Sequence, residues 1–186
     1  VDALVAALQD PHPAVRRAAA EALGEQHAGE AAQALIDALE DPDRNVRFYA
    51  AYALGEIKAP GAAGALIDAL SDEAYAVRDQ AAWALRELHE PDLAAPLARK
   101  LLRDGIGTQH ARWVLEQLGA EAAGPALGQL LETGTPDARR RAIRVLKEFR
   151  SEHAVAPLAP ALRDPDPAIR RQAIDARRLV AGEKET

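Results

Sequence analysis

The sequence repeats itself every 31 residues, and this period constrains the fold more than any other feature of the chain. The segments AVRRAAAEALGE (14–25), NVRFYAAYALGE (45–56) and AVRDQAAWALRE (76–87) superpose without a gap. Val15 then aligns with Val46 and Val77, Ala19 with Ala50 and Ala81, and Leu23 with Leu54 and Leu85. That leucine series continues through Leu115 and Leu146, with spacings of 31, 31, 30 and 31. A second series, Leu4, Leu35, Leu66, Leu97, Leu127 and Leu158, runs at 31, 31, 31, 30 and 31. Both lose one residue in the fourth unit, which places a deletion in the turn near Asp104–Thr108. Six units result, at approximately 1–28, 29–59, 60–90, 91–120, 121–151 and 152–182, in a single domain spanning 1–186.

Each unit reads as two short helices. The first carries Leu and Ile at helical spacing, as in Ala34-Leu35-Ile36-Asp37-Ala38-Leu39. It ends at a turn written Asp10-Pro11, Asp41-Pro42 or Asp164-Pro165, where Pro pre-sets the backbone and Asp can cap the next helix. The second helix places Val15, Ala19, Ala22 and Leu23 on one apolar face, and Gly24 and Gly55 are read as its stops. One helix pair cannot bury its own stripe, so neighbouring pairs must cover it. Forty-four alanines allow those helices to approach closely. The pattern therefore predicts an all-α chain, a right-handed α-solenoid of about six two-helix repeats.

The phrase Asp-Pro-x-x-x-Val-Arg-x-x-Ala-Ala-x-Ala-Leu-Gly, at 41–55 and nearly so at 10–24, resembles HEAT repeats. It is most similar to the short variety first described in phycobilin lyases, over essentially residues 1–180. The resemblance implies that the second helices line a concave, partner-binding surface. It also implies that the turn Asp and the helix arginines Arg16, Arg47, Arg78, Arg139 and Arg170 interact along the stack. Unit four departs, with Thr108 in the Arg position, which makes its turn the expected irregular point. Unit six departs with Arg177 in a Leu position, as suits a polar terminal cap.

At 100° per residue, position 21 and its equivalents point opposite the apolar face. That column reads Glu21, Tyr52, Trp83, Trp113, Arg144 and Asp175. Flanking columns supply Phe48, Tyr49, Asp79, His110, Arg140, Arg141 and Arg171, so five of seven aromatic residues share one face of units two to four. Tyr52, Trp83 and Trp113 are expected to form a contiguous exposed strip, and such patches mark interaction sites. An acidic column, Glu25, Glu56, Glu87, Gln117 and Glu148, runs beside it and would favour a basic partner segment. Arg140, Arg141, Arg144 and Arg171 form a basic end, which suggests a partner with one basic and one acidic end.

Other chemistry finds little support. No Cys is present, which removes disulfides, thiolate ligands and a thiol nucleophile. None of His12, His27, His89, His110 and His153 lies three or four residues from another, so no helix presents a His pair for a metal. His89-Glu90 is similar to the iron-binding pairs of deoxyhypusine hydroxylase, another HEAT-repeat protein, but stands once, before Pro91. Neither a phosphate-binding Gly-rich loop nor a membrane span or signal peptide is evident. The net charge of −6 disfavours nucleic acid, although residues 136–186 carry 12 basic against 8 acidic groups. Val1 opens inside an amphipathic pattern, and the chain is expected to be part of a longer one, with Leu4, Val5 and Leu8 exposed at its start.

These readings converge on a non-enzymatic, cytoplasmic and monomeric scaffold that binds protein or peptide without a cofactor or metal. Its partner-binding residues are Phe48, Tyr49, Tyr52, Asp79, Trp83, Glu87, His110, Trp113, Arg140, Arg141 and Arg144. Two alternatives follow from resemblance. Phe48-Tyr49-Ala50-Ala51-Tyr52-Ala53-Leu54 is similar to an aromatic stretch of phycobilin lyases, where the strip would stack on a linear tetrapyrrole and Arg140 or Arg144 would meet its propionates. HEAT-like DNA glycosylases, with Trp and Arg on a concave face, suggest nucleic-acid binding as a lesser alternative.

Overall fold

In the computed structural model, which describes residues 1–59, 61–102 and 105–182 (backbone only at Pro91), the chain is helical, without strands among those residues. It divides into two compact units, Val1–His89 and Glu90–Thr186, with the boundary in sequence between the third and fourth repeats. The first unit holds α1 (Asp2–Ala7), α2 (Pro13–Glu25), α3 (Ala32–Ala38), α4 (Arg44–Glu56), α5 (Ala63–Ala69) and α6 (Tyr75–Leu88). Here the second helices of successive repeats pack in order, α2 on α4 and α4 on α6. The second unit holds α7 (Ala94–Lys100), α8 (Thr108–Thr133), α9 (Pro136–Glu148) and α10 (Pro167–Val180). No helix among the described residues is long and apolar enough to cross a membrane.

The two leucine series are the core. Leu23, Leu54, Leu85, Leu115 and Leu146 are fully buried, as are Leu35, Leu66, Leu97, Leu127 and Leu158. Each such side chain contributes about 1.5–3 kcal/mol when removed from water. Val46 and Val77 are buried too, whereas Val15 is 40% exposed, because its counterparts rest on a preceding repeat and α2 has only the short α1 before it. Leu4 and Val5 are half-buried and Leu8 is buried, contrary to the exposure expected for them.

The helix ends differ from the sequence expectation. Gly24 and Gly55 lie inside α2 and α4 and are buried, so they do not stop these helices. The stop comes three residues later, where His27 and Lys58 adopt φ of 48° and 47°. Ala28 then donates to the Leu23 carbonyl and Ala59 to that of Leu54, each at 3.0 Å, which closes the left-handed C-terminal motif. His89 (φ 51°), Gly119 (φ 81°) and Arg150 (φ 45°) continue this column at the 31-residue register. The turn Asp residues also act otherwise than as caps. Asp10, Asp41, Asp72 and Asp164 each accept from the amide two residues on, and the capping of α4 and α10 falls to Asp43 and Asp166.

The second unit breaks the pattern in three places. Gly107 opens α8 with φ 90°, while Asp104, within the segment assigned the deletion, lies outside the described residues. Gly119, at φ 81° and ψ 170°, joins the second helix of repeat four directly to the first of repeat five inside α8. The first helix of repeat six is replaced by 3-10 turns at Glu152–Ala154, Ala156–Leu158 and Pro160–Arg163. Pro157 and Pro160 lack the amide hydrogens that an α-helix would need there.

Candidate functional site

The first unit carries six of the expected site residues on α4 and α6, and the four aromatic ones are in ring contact. Tyr52 and Trp83 stack with ring centroids 5.9 Å apart and 18° between planes. Tyr49 meets Tyr52 edge-on at 6.4 Å, and Phe48 meets Tyr49 edge-on at 5.2 Å. Arg17 of α2 lies 5.6 Å over the Tyr49 ring, a cation–π contact within the chain. The column expected to be most exposed is half-buried at Tyr52 and Trp83. The glycines permit this in two ways: a Cβ at Gly24 would stand 2.9 Å from Ala53 Cα, so its absence lets α4 approach α2 closely, and one at Gly55 would overlap the Trp83 ring. Trp83 thus fills the notch that Gly55 opens one repeat earlier, and Tyr52 rests beside Gly24 at ordinary contact distance. The cluster is at once packing and surface.

Carboxylates frame this cluster. Glu56 follows Tyr52 by one turn of α4, and Glu21 and Glu25 stand one turn apart on α2 beside it. Burial, reinforced by the charges of Glu56, Glu25 and Glu21, pushes the Tyr52 hydroxyl above its ordinary value. Glu87 behaves differently. Arg86 donates to its Oε1 through Nε at 3.0 Å and Nη2 at 2.5 Å, and this bond holds the carboxyl below its usual range. Asp79 is exposed on α6.

The expected residues of the second unit stand apart from one another in role. Trp113 on α8 is 37% exposed, and His110 precedes it by one turn, half-buried. Arg140 donates to Asp137 at 2.9 Å and to Asp166 at 2.7 Å, so its guanidinium is engaged within α9 and the following turn. Arg141 is likewise used internally, donating to the carbonyl oxygens of Leu101 (2.8 Å) and Leu102 (3.2 Å) at the end of α7. Arg144 is exposed.

The Arg–Asp column forms a separate, structural device. Arg16 reaches Asp41 through Nε at 2.6 Å and Nη2 at 2.8 Å, and Arg47 reaches Asp72 at 2.7 and 3.0 Å in the same bidentate way. Arg139 Nε lies 2.6 Å from Asp164 Oδ2, off the N–H direction, while Nη2 donates to Oδ1 at 3.3 Å. Burial pushes the Asp41 carboxyl up, but the bonds from Arg16 and the Asp43 amide hold it below its ordinary value. Nη1 of Arg16, Arg47, Arg78 and Arg170 donates as well to carbonyl oxygens of the turn before each helix. The next acidic position after Arg78 falls at residues 103–104, outside the described residues. At Thr108 the clasp is missing, and the corresponding acidic position carries Thr133, so neither charge is left unmatched.

Sequence reasoning missed the left-handed column and the packing role of Gly24 and Gly55. Gly119 falling in register with His27, Lys58, His89 and Arg150 is the signal that could have found the first. His89 Nδ1 lies 2.8 Å from the Glu87 carbonyl oxygen, and no group of three or more potential metal ligands occurs among the described residues.

The period, the helix pairs and the clasp are those of a known repeat. A profile of HEAT repeats matches residues 1–39, 32–118 and 124–184. The chain belongs to the HEAT-repeat family. Its fold class is the α-solenoid that such repeats build. Among solved structures, the HEAT chain is similar to the complex of CpcE and CpcF of phycocyanin lyase from Nostoc sp. PCC7120. That match has 26% identity and a TM-score of 0.57, and covers 94% of this chain and 74% of that one. Two engineered proteins match at 20% identity with TM-scores of 0.54 and 0.53, each over 97% of this chain and 96% and 98% of theirs, which speaks to the fold alone. A comparison with curated protein sequences finds no match.

Proposed function

We propose that this HEAT-repeat chain is a scaffold that binds a protein or peptide in an aromatic-lined concave groove of the second helices, on the face of α4 and α6 that carries the rings. The observation that carries this reading is the cluster Phe48, Tyr49, Tyr52 and Trp83. The fold does not need aromatic side chains there, since the equivalents of Tyr52 in repeats one, five and six are Glu21, Arg144 and Asp175. Tyr and Trp are the residues that anchor binding surfaces, being large, stiff and partly polar. Trp113 and Arg144, exposed on the second unit, offer further anchoring groups there. A paired pull-down tests the reading, with this chain and a Tyr49→Ala/Tyr52→Ala variant as baits, both shown to be folded by circular dichroism. A protein held by the first bait and lost from the second supports it. Equal retention by both baits would remove the aromatic face from the function.

A second reading rests on the likeness to phycocyanin lyase. The resemblance implies a linear tetrapyrrole as ligand, stacked on the same aromatic cluster. Titration with a bilin should then produce a saturable change in visible absorbance, weakened in Tyr52→Ala. An unchanged spectrum at saturating bilin excludes it.

A further inference from the structure

The aromatic cluster of the first unit is set among negative charges of a kind that selects one sort of partner. Residues 1–89 carry 15 acidic and 7 basic side chains, a net charge of −8. Several acids elsewhere in this unit are spent internally: Asp41 and Asp72 clasp arginines, Asp43 caps α4, and Glu87 is held by Arg86. Glu21, Glu25 and Glu56 are not spent in this way. Among the described residues none of the three is joined to a cation by an ion pair, although all three lie around Tyr52. The chain also shows what the rings accept, because the Arg17 guanidinium already rests on Tyr49. A cation placed beside this cluster would gain both Coulomb attraction and ring contact, and partial burial strengthens each.

We infer that the site binds a basic segment of a partner protein, with an arginine or lysine side chain held among Glu21, Glu25 and Glu56 beside the Tyr52–Trp83 stack. This inference rests on the scaffold reading above and names the chemistry of its partner. Charge repulsion disfavours an acidic segment or a phosphate backbone at this face. Arg17 occupies the neighbouring ring Tyr49 and marks the edge of the site.

The test uses a fluorescein-labelled peptide of alternating Arg and Ser, followed by anisotropy on the whole chain at low and at 0.5 M salt. Tryptophan emission is followed both in the whole chain and in Trp113→Phe, where Trp83 is the one tryptophan and its emission reports contact with the cluster. Saturable binding is expected, with a change in Trp83 emission, weakening as salt screens the charges. Glu25→Gln/Glu56→Gln should weaken it by about tenfold. Glu40→Gln/Asp68→Asn, in the turn after α3 and on α5, removes the same charge and should leave it unaltered. These substitutions touch exposed or half-buried carboxylates, so folding is retained. Equal loss in both double variants, or spermine competing as well per charge as the peptide, would reduce the effect to bulk charge and overturn the inference. Absence of peptide binding would overturn it as well. If the pull-down still captured a partner through Tyr49 and Tyr52, the scaffold reading would survive that failure.

Discussion

Two stretches of one repeat sequence behave differently here. In Val1–His89, three repeats keep the same helix pairs, the Arg16–Asp41 and Arg47–Asp72 clasps, and the left-handed stops at His27, Lys58 and His89. In Glu90–Thr186 the clasp survives at Arg139–Asp164 and the left-handed stops at Gly119 and Arg150, but the clasp is lost between Thr108 and Thr133, two helices fuse across Gly119, and prolines dissolve the first helix of repeat six. Charge divides along the same line, with a net −8 over residues 1–89 and 14 acidic against 16 basic residues over 90–186. The leucine core is nonetheless equally buried in both. Apolar periodicity therefore suffices to bury a repeat, while the polar clasp and the turn conformations govern how uniformly repeats are built. The uniform unit is also the one that carries the aromatic cluster, with Trp83 in the notch that Gly55 opens.

This contrast can be broken from either side. The largest effect is expected from Asp72→Asn, which takes the bidentate carboxylate from the buried Arg47 guanidinium, leaving it Glu73 and the turn carbonyls, and should cost about 3 kcal/mol in urea unfolding. The same loss in the Thr133→Ala variant of the second unit would show that the clasp contributes nothing particular to the first. Gly55→Ala forces a methyl group into the Trp83 ring and toward the Ala84 backbone, and should cost about 2 kcal/mol. Gly64→Ala, with open space around its Cβ, is the control and should be neutral or stabilising. An unaltered melting temperature for Gly55→Ala would mean that the notch is not filled in solution. Gly119→Ala tests the second unit: nothing crowds its Cβ, but φ 81° and ψ 170° form a region that is essentially glycine-only. A loss of about 2 kcal/mol is expected, arising from backbone strain alone. The smallest effect is a gain. Lys58→Gly places glycine where φ is 47° and should stabilise the first unit by roughly 0.5–1 kcal/mol, read as a higher melting temperature.

Much of the fold was legible in particular residues. The two leucine series located the core at every repeat except at half-buried Leu4. The recurrent Arg and Asp, six residues apart around each turn, pointed to the clasp through family resemblance, and the geometry supplied its bidentate form. The helix stops were harder, because four of the five left-handed residues are His, Lys, His and Arg, and only Gly119 advertises the conformation. Gly24 and Gly55 were more conspicuous and misled. The aromatic face was legible as a column, but its depth was not, nor was the internal use of Arg140 and Arg141.

By itself, then, the sequence determined the helix pairs, the buried leucines and the face on which Phe48, Tyr49, Tyr52 and Trp83 would meet. Those depend on the fixed 100° step along each helix, which a periodic pattern records directly. Tertiary structure alone decided that Tyr52 and Trp83 would be half-buried and stacked, and that two of the three expected arginines would be bound within the chain. Exposure and engagement depend on what the neighbouring helix presents. A missing Cβ at Gly24 or Gly55, or free carbonyls at the end of α7, are properties of the neighbour rather than of the residue that meets them.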